Sequence, residues 1–196
     1  MTIKALAQRL VANLIRKRPA VRDAYTEESL EKRVGALAAL LRLESSACAE
    51  GLQGIIEACL ETPEPIAALT NFERFFESLE APRERYERLA RDPQALRCVS
   101  VLFGYSQFLS DVLIRYPEFF DWLCAPSRLE APKGTAEYRE EALAIVQAEE
   151  DSSTARNMLA RWRRREILQH WGARPSDVMQ ALKSSHMRSP TWHRPA

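Results

Sequence analysis

Residues 93–123 read PQALRCVSVLFGYSQFLSDVLIRYPEFFDWL. Within them Tyr105, Phe108, Leu109, Val112 and Tyr116 follow the spacing i, i+3, i+4, i+7, i+11. That is the apolar stripe of an α-helix, which repeats every 3.6 residues, and not the alternation of a strand. Asp92-Pro93 supplies a start signal, a capping carboxylate followed by a proline at the first helical position. The helix from 93 is expected to end near Phe103-Gly104. Tyr116-Pro117 stops the stripe and opens a further short helix holding Phe119, Phe120, Trp122 and Leu123.

The same period extends to both sides. Leu6, Leu10 and Leu14 predict a first helix over 3–17, ended by Arg18-Pro19. Leu30, Val34, Leu37 and Leu41 predict a second over 27–43. Leu52, Ile55, Ile56, Cys59 and Leu60 predict a third over 46–61, all turned inward. Thr62-Pro63 reads as the next cap-plus-proline start, for a helix carrying Ile66, Leu69, Phe72, Phe76 and Leu79. A short charged helix over 83–91 holds Tyr86 and Leu89. Beyond a Pro-containing loop at 125–135, a helix over 136–150 carries Tyr138, Ala142, Ile145 and Val146. Asp151-Ser152-Ser153 caps a last one over 154–169. No stretch alternates like a strand between turns. The expected fold is all-α, a multi-helix bundle of short antiparallel helices with an irregular C-terminal tail. Leu69, Phe72, Phe76, Leu102, Phe108, Leu109, Leu113 and Trp122 are expected to be buried.

Composition bounds the function. The 196 residues carry 28 Lys+Arg against 27 Asp+Glu, a net charge of +1. So even a balance argues against a general nucleic-acid binder. Six glycines leave little room for phosphate-cradling loops. Nothing approaches the roughly 20 apolar residues of a membrane span. The first 22 residues hold Lys4, Arg9, Arg16, Lys17, Arg18 and Arg22 and no acid. Their leucine repeat makes this a core helix with a basic outer face and not a transit segment. Cys48, Cys59, Cys98 and Cys124 have no metal-site spacing and are expected to pack as small hydrophobes in a reduced, cytoplasmic protein.

Candidate chemistry is sparse. Histidine is absent before residue 170, which removes the commonest general acid–base and metal ligand from the helical body. The acidic pairs Glu27-Glu28, Glu140-Glu141 and Glu149-Glu150 read as solvated helix faces. Arg161-Trp162-Arg163-Arg164-Arg165 could stack a base and clamp phosphates. The competing reading buries Met158, Leu159 and Trp162 and leaves the arginines in water, and the near-neutral chain favours it. No catalytic, cofactor-binding or metal-binding residue is assigned.

One series of blocks carries a resemblance. Ala68-Leu69-Thr70-Asn71-Phe72-Glu73-Arg74-Phe75 is followed by Leu102-Phe103-Gly104-Tyr105-Ser106-Gln107-Phe108-Leu109. Then comes Leu113-Ile114-Arg115-Tyr116-Pro117-Glu118-Phe119-Phe120-Asp121, and finally Arg164-Arg165-Glu166-Ile167-Leu168. In this order they resemble the N-terminal helical region of the glutamate–ammonia-ligase (glutamine synthetase) adenylyltransferase family. The resemblance implies AMP transfer to and from glutamine synthetase, using ATP and Mg²⁺, in nucleotidyltransferase domains that lie beyond this region. Those domains are marked by a Gly-rich loop and paired aspartates, which hold Mg²⁺ against phosphates. No such motif occurs in this chain, so the resemblance supplies no catalytic residue and no cofactor site here. The partners it implies are glutamine synthetase and the nucleotidyltransferase domain.

The match ends after Leu168. Residues 170–196 hold all three histidines, two of the four tryptophans and three of the eleven prolines, with four basic side chains to one acidic. His170-Trp171-Gly172-Ala173-Arg174-Pro175-Ser176-Asp177 can be written CAT-TGG-GGC-GCG-CGA-CCT-TCT-GAT. Read one base late, this encodes I-G-A-R-D-L-L, the family's own continuation. The expected organisation is therefore a helical region over 1–169 and a divergent, out-of-frame tail over 170–196. The alternative is a stand-alone helical scaffold or interaction protein.

Overall fold

The computed structural model describes residues 2–17, 26–43, 46–123, 133–149 and 151–172. Among these, every regular element is an α-helix. The expectations for residues 170–196 fall outside the described residues from 173 onward, as do Cys124 and most of the loop at 125–135. The side chains of Cys48 and Trp122 are likewise not described. The chain divides into two compact units, 1–127 and 128–196.

The first unit holds α1 (Ile3–Lys17), α2 (Glu27–Leu40), α3 (Ser46–Leu60), α4 (Pro65–Glu77), α5 (Pro82–Arg91), α6 (Pro93–Tyr105), α7 (Gln107–Arg115) and α8 (Phe119–Leu123). α4 lies at its centre and packs on α2, α3, α5, α6 and α7, while α1 packs on α2 and α3. The reason is the width of the apolar arc on α4. Ala68, Leu69, Phe72, Phe75 and Phe76 are all fully buried, so this helix is covered on more than one side. Its rings seed an aromatic core. Phe72 meets Phe103 edge-on at 4.8 Å between centroids, and Phe75 lies 5.6 Å from Phe120. Such pairs contribute roughly 0.5–1.5 kcal/mol beyond the area they bury. On α1, Leu6, Leu10 and Leu14 are buried with Ala7 and Val11, and Lys4 and Arg9 face solvent. Cys59 and Cys98 are buried and unbridged. Burial pushes the Cys59 thiol far above its ordinary pKa; the neighbouring Ser100 hydroxyl offsets this only in part.

Several boundaries differ from those the sequence suggests. α2 ends at Leu40 and not at 43. Arg42 adopts φ 50°, the Leu43 N–H bonds to the Ala38 carbonyl at 3.0 Å, and the Arg42 N–H to that of Ala39 at 3.1 Å. This is a Schellman closure with an arginine in the left-handed position usually given to glycine. Thr62 does not cap α4. Its hydroxyl turns back and donates to the Cys59 carbonyl at 2.6 Å, closing α3. α4 begins at Pro65 behind Glu64, which makes no side-chain cap. Thr62 is buried under Gly104, where any Cβ would collide with it. Gly51 serves the same purpose between α3 and α5, since a Cβ there would stand 2.6 Å from the Tyr86 hydroxyl. Leu60, Ile66 and Leu79 are only half-buried.

The Tyr105–Tyr116 stripe is interrupted. Ser106 ends α6 and caps α7, accepting from the Leu109 N–H at 3.3 Å. The break rotates Phe108 out of the core, and it is 59% exposed. Leu69, Phe72, Phe76, Leu102, Leu109 and Leu113 are buried as expected.

The second unit holds α9 (Thr135–Ala148) and α10 (Ser152–Gly172), which pack on each other. α10 runs through the point at residue 169 where the resemblance stops. Asp151 accepts from the Ser153 hydroxyl and from the Thr154 hydroxyl and N–H, the last two at 2.8 Å, and these bonds, that of Ser153 foremost, hold its carboxyl well below the usual range.

Candidate functional site

The three resembling blocks between residues 68 and 121 converge on the joints of the first unit. Asn71 is 2% exposed. Its amide donates to the Phe103 carbonyl at 3.0 Å, a group in the last turn of α6 that has no helical donor because the chain breaks at Ser106. The Asn71 oxygen accepts from Arg74 at 3.1 Å. Arg74 in turn pairs with Asp111 of α7, and Glu73 pairs with Arg33 of α2, each at 2.9 Å. The Thr70 hydroxyl donates to the Ile66 carbonyl at 2.7 Å. Gln107 donates to Asp111 at 2.9 Å. Asp121, beside α8's buried Phe119 and Phe120, accepts from Arg85 at 2.7 Å and also from Arg88, both on α5. The two guanidiniums stand 5.7 and 5.6 Å from the centre of the Phe120 ring. These polar residues are engaged in bonds within helices and between them.

The second unit gathers a different set. Lys133, just before α9, donates to Glu141 at 2.9 Å and to Glu166 at 3.1 Å. Trp162 donates its indole N–H to Glu141 at 2.8 Å and meets Tyr138 edge-on. Arg165 pairs with Glu166 at 2.8 Å. Burial disfavours the Lys133 ammonium, but its bonds to Glu141 and Glu166 outweigh this and raise its pKa. Those from Lys133 and Trp162 lower that of Glu141.

Two readings of the sequence change here. Glu141 is no solvated partner of Glu140; it is half-buried and takes part in this cluster. Met158 is exposed, although Leu159 and Trp162 are half-buried. Trp162 spends its N–H within the hairpin, and Arg165 is matched to an acid. Sequence reasoning did not find the Lys133–Glu141–Glu166 grouping. Its members are separated along the chain, and a lysine between two distant glutamates leaves no periodic trace.

Among the described residues no group of three or more His, Cys, Asp and Glu could hold a metal ion. Glu141 and Glu166 come together, but around an ammonium and with arginine and indole donors. They do not fit the Mg²⁺ that the resemblance brings with it. Among the described residues no helix is long and apolar enough to cross a membrane. No protein-family model matches the chain, and neither does any curated protein or solved structure.

Proposed function

We propose that residues 1–169 are the non-catalytic helical region of a glutamine synthetase adenylyltransferase-like protein. AMP transfer then belongs to a nucleotidyltransferase domain outside this chain, and ATP and Mg²⁺ bind there. The observation that supports the reading is the use made of the resembling blocks. Thr70, Asn71, Glu73, Arg74, Gln107 and Asp121 all serve as joints between or within helices. A supporting region needs such joints, and a substrate site needs polar groups left over. The one-base shift available after Gln169 supports the same reading from the side of the gene.

A second reading, a stand-alone helical scaffold, takes the exposed Phe108, Leu143, Val146 and Met158 as contact residues. Sequencing the DNA downstream of codon 169 separates the two. A nucleotidyltransferase motif in the shifted frame sinks the scaffold reading, and its absence sinks the first. The functional test is transfer of labelled AMP to glutamine synthetase. The 196-residue chain is expected to transfer none, and the frame-corrected protein to transfer it. Activity in the short chain would overturn the proposal.

A further inference from the structure

We infer that Lys133 is a charge clasp that holds α9 on α10, so that loss of its charge frees α9. The inference does not depend on the adenylyltransferase reading. α9 has no fully buried side chain, and Leu143 and Val146 on it are exposed. Apolar burial alone therefore gives this helix little hold. Two carboxylates hold it instead, one on each helix and both within reach of the Lys133 ammonium. Glu166 is only 6% exposed. The charged and titratable groups facing the clasp are Lys133, Tyr138 and Glu141 on one side and Arg165 and Glu166 on the other. Glu137 is occupied next to them by the Gly134 N–H at 2.6 Å.

If Lys133 becomes neutral, two like charges share a half-buried site with Arg165 as their remaining cation. Like charges that close repel, and Arg165, 2.8 Å from Glu166 but 3.9 Å from Glu141, does not balance both carboxylates. The least costly response is to separate the helices. α9 then detaches and Tyr138 and Trp162 open to water. Loss of the positive charge at this position would act as the release.

The test is amide hydrogen exchange across α9 in the full chain. Lys133→Met is expected to speed exchange in α9 by about tenfold, discounted for the partial exposure of the pair. Lys133→Arg, which keeps the charge, should leave it near the parent rate. The double variant Lys133→Met, Glu141→Gln removes one charge of each sign, leaves Glu166 paired with Arg165 and should restore slow exchange. Exchange in Lys133→Met at the parent rate would overturn the inference. So would a double variant as fast as Lys133→Met, since the loss would then come from shape and not from charge.

Discussion

Asn71 and Phe103 lie 32 positions apart and are joined by one bond, from the asparagine amide to the phenylalanine carbonyl at 3.0 Å. The carbonyl needs that donor because α6 stops at Tyr105 and Ser106 starts the next helix. Replacing Asn71 with Ala should therefore leave a buried acceptor unpaired. The expected loss is about 1–3 kcal/mol, read as a lower midpoint in urea with an unchanged slope. An unaltered midpoint would mean that water satisfies Phe103 instead.

Phe108 and Leu109 are neighbours on α7 with opposite fates, one 59% exposed and the other buried. Phe108→Ser is expected to change stability by no more than about 0.5 kcal/mol. Leu109→Ala should cost about 2–5 kcal/mol. Thermal melts of the two variants give the comparison directly. Equal losses would place Phe108 in the core and restore the unbroken stripe.

Arg42 holds a left-handed conformation that costs a side-chain-bearing residue roughly 1–2 kcal/mol and costs glycine little. Arg42→Gly should therefore stabilise the chain, less whatever a glycine adds to the entropy of the unfolded state. A net gain of about 0.5–1 kcal/mol is expected, seen as a rise in melting temperature. A fall would show that the arginine side chain contributes more than the turn loses.

The hairpin of α9 and α10 should respond to pH at both ends of the scale. Glu141 is depressed in the folded state, first by its bond from Lys133 and then by that from Trp162. Its contribution is complete above the ordinary glutamate range and is lost as pH falls through the lowered value. Lys133 is raised, so its contribution is complete below the ordinary lysine range and is lost as pH rises through the higher value. Between these limbs the hairpin should hold steady. The Trp162 indole N–H resonance, assigned by Trp162→Phe, reports on the bond to Glu141. A resonance that stays put while pH drops to the onset of global acid unfolding would contradict the prediction.

Period and punctuation alone determined that this chain is helical. Leucines at every fourth position on α1 and the Asp92-Pro93 start signal mark helices here, because they act through local sterics and one-sided burial. Asp92 caps α6 as its sequence suggests, accepting from the Gln94 and Ala95 N–H groups at 3.0 Å each. Tertiary structure decided what locality cannot. Thr62 has the residue type of a cap, yet the space under Gly104 turns its hydroxyl back to Cys59. Phe75 falls outside the stripe drawn through Phe72 and Phe76, yet it is buried because α4 is enclosed on several sides. The clasp of Lys133, Glu141 and Glu166 needs two helices placed side by side before its charges can meet. Coulombic pairing depends on distance in space, and a sequence carries only distance along the chain.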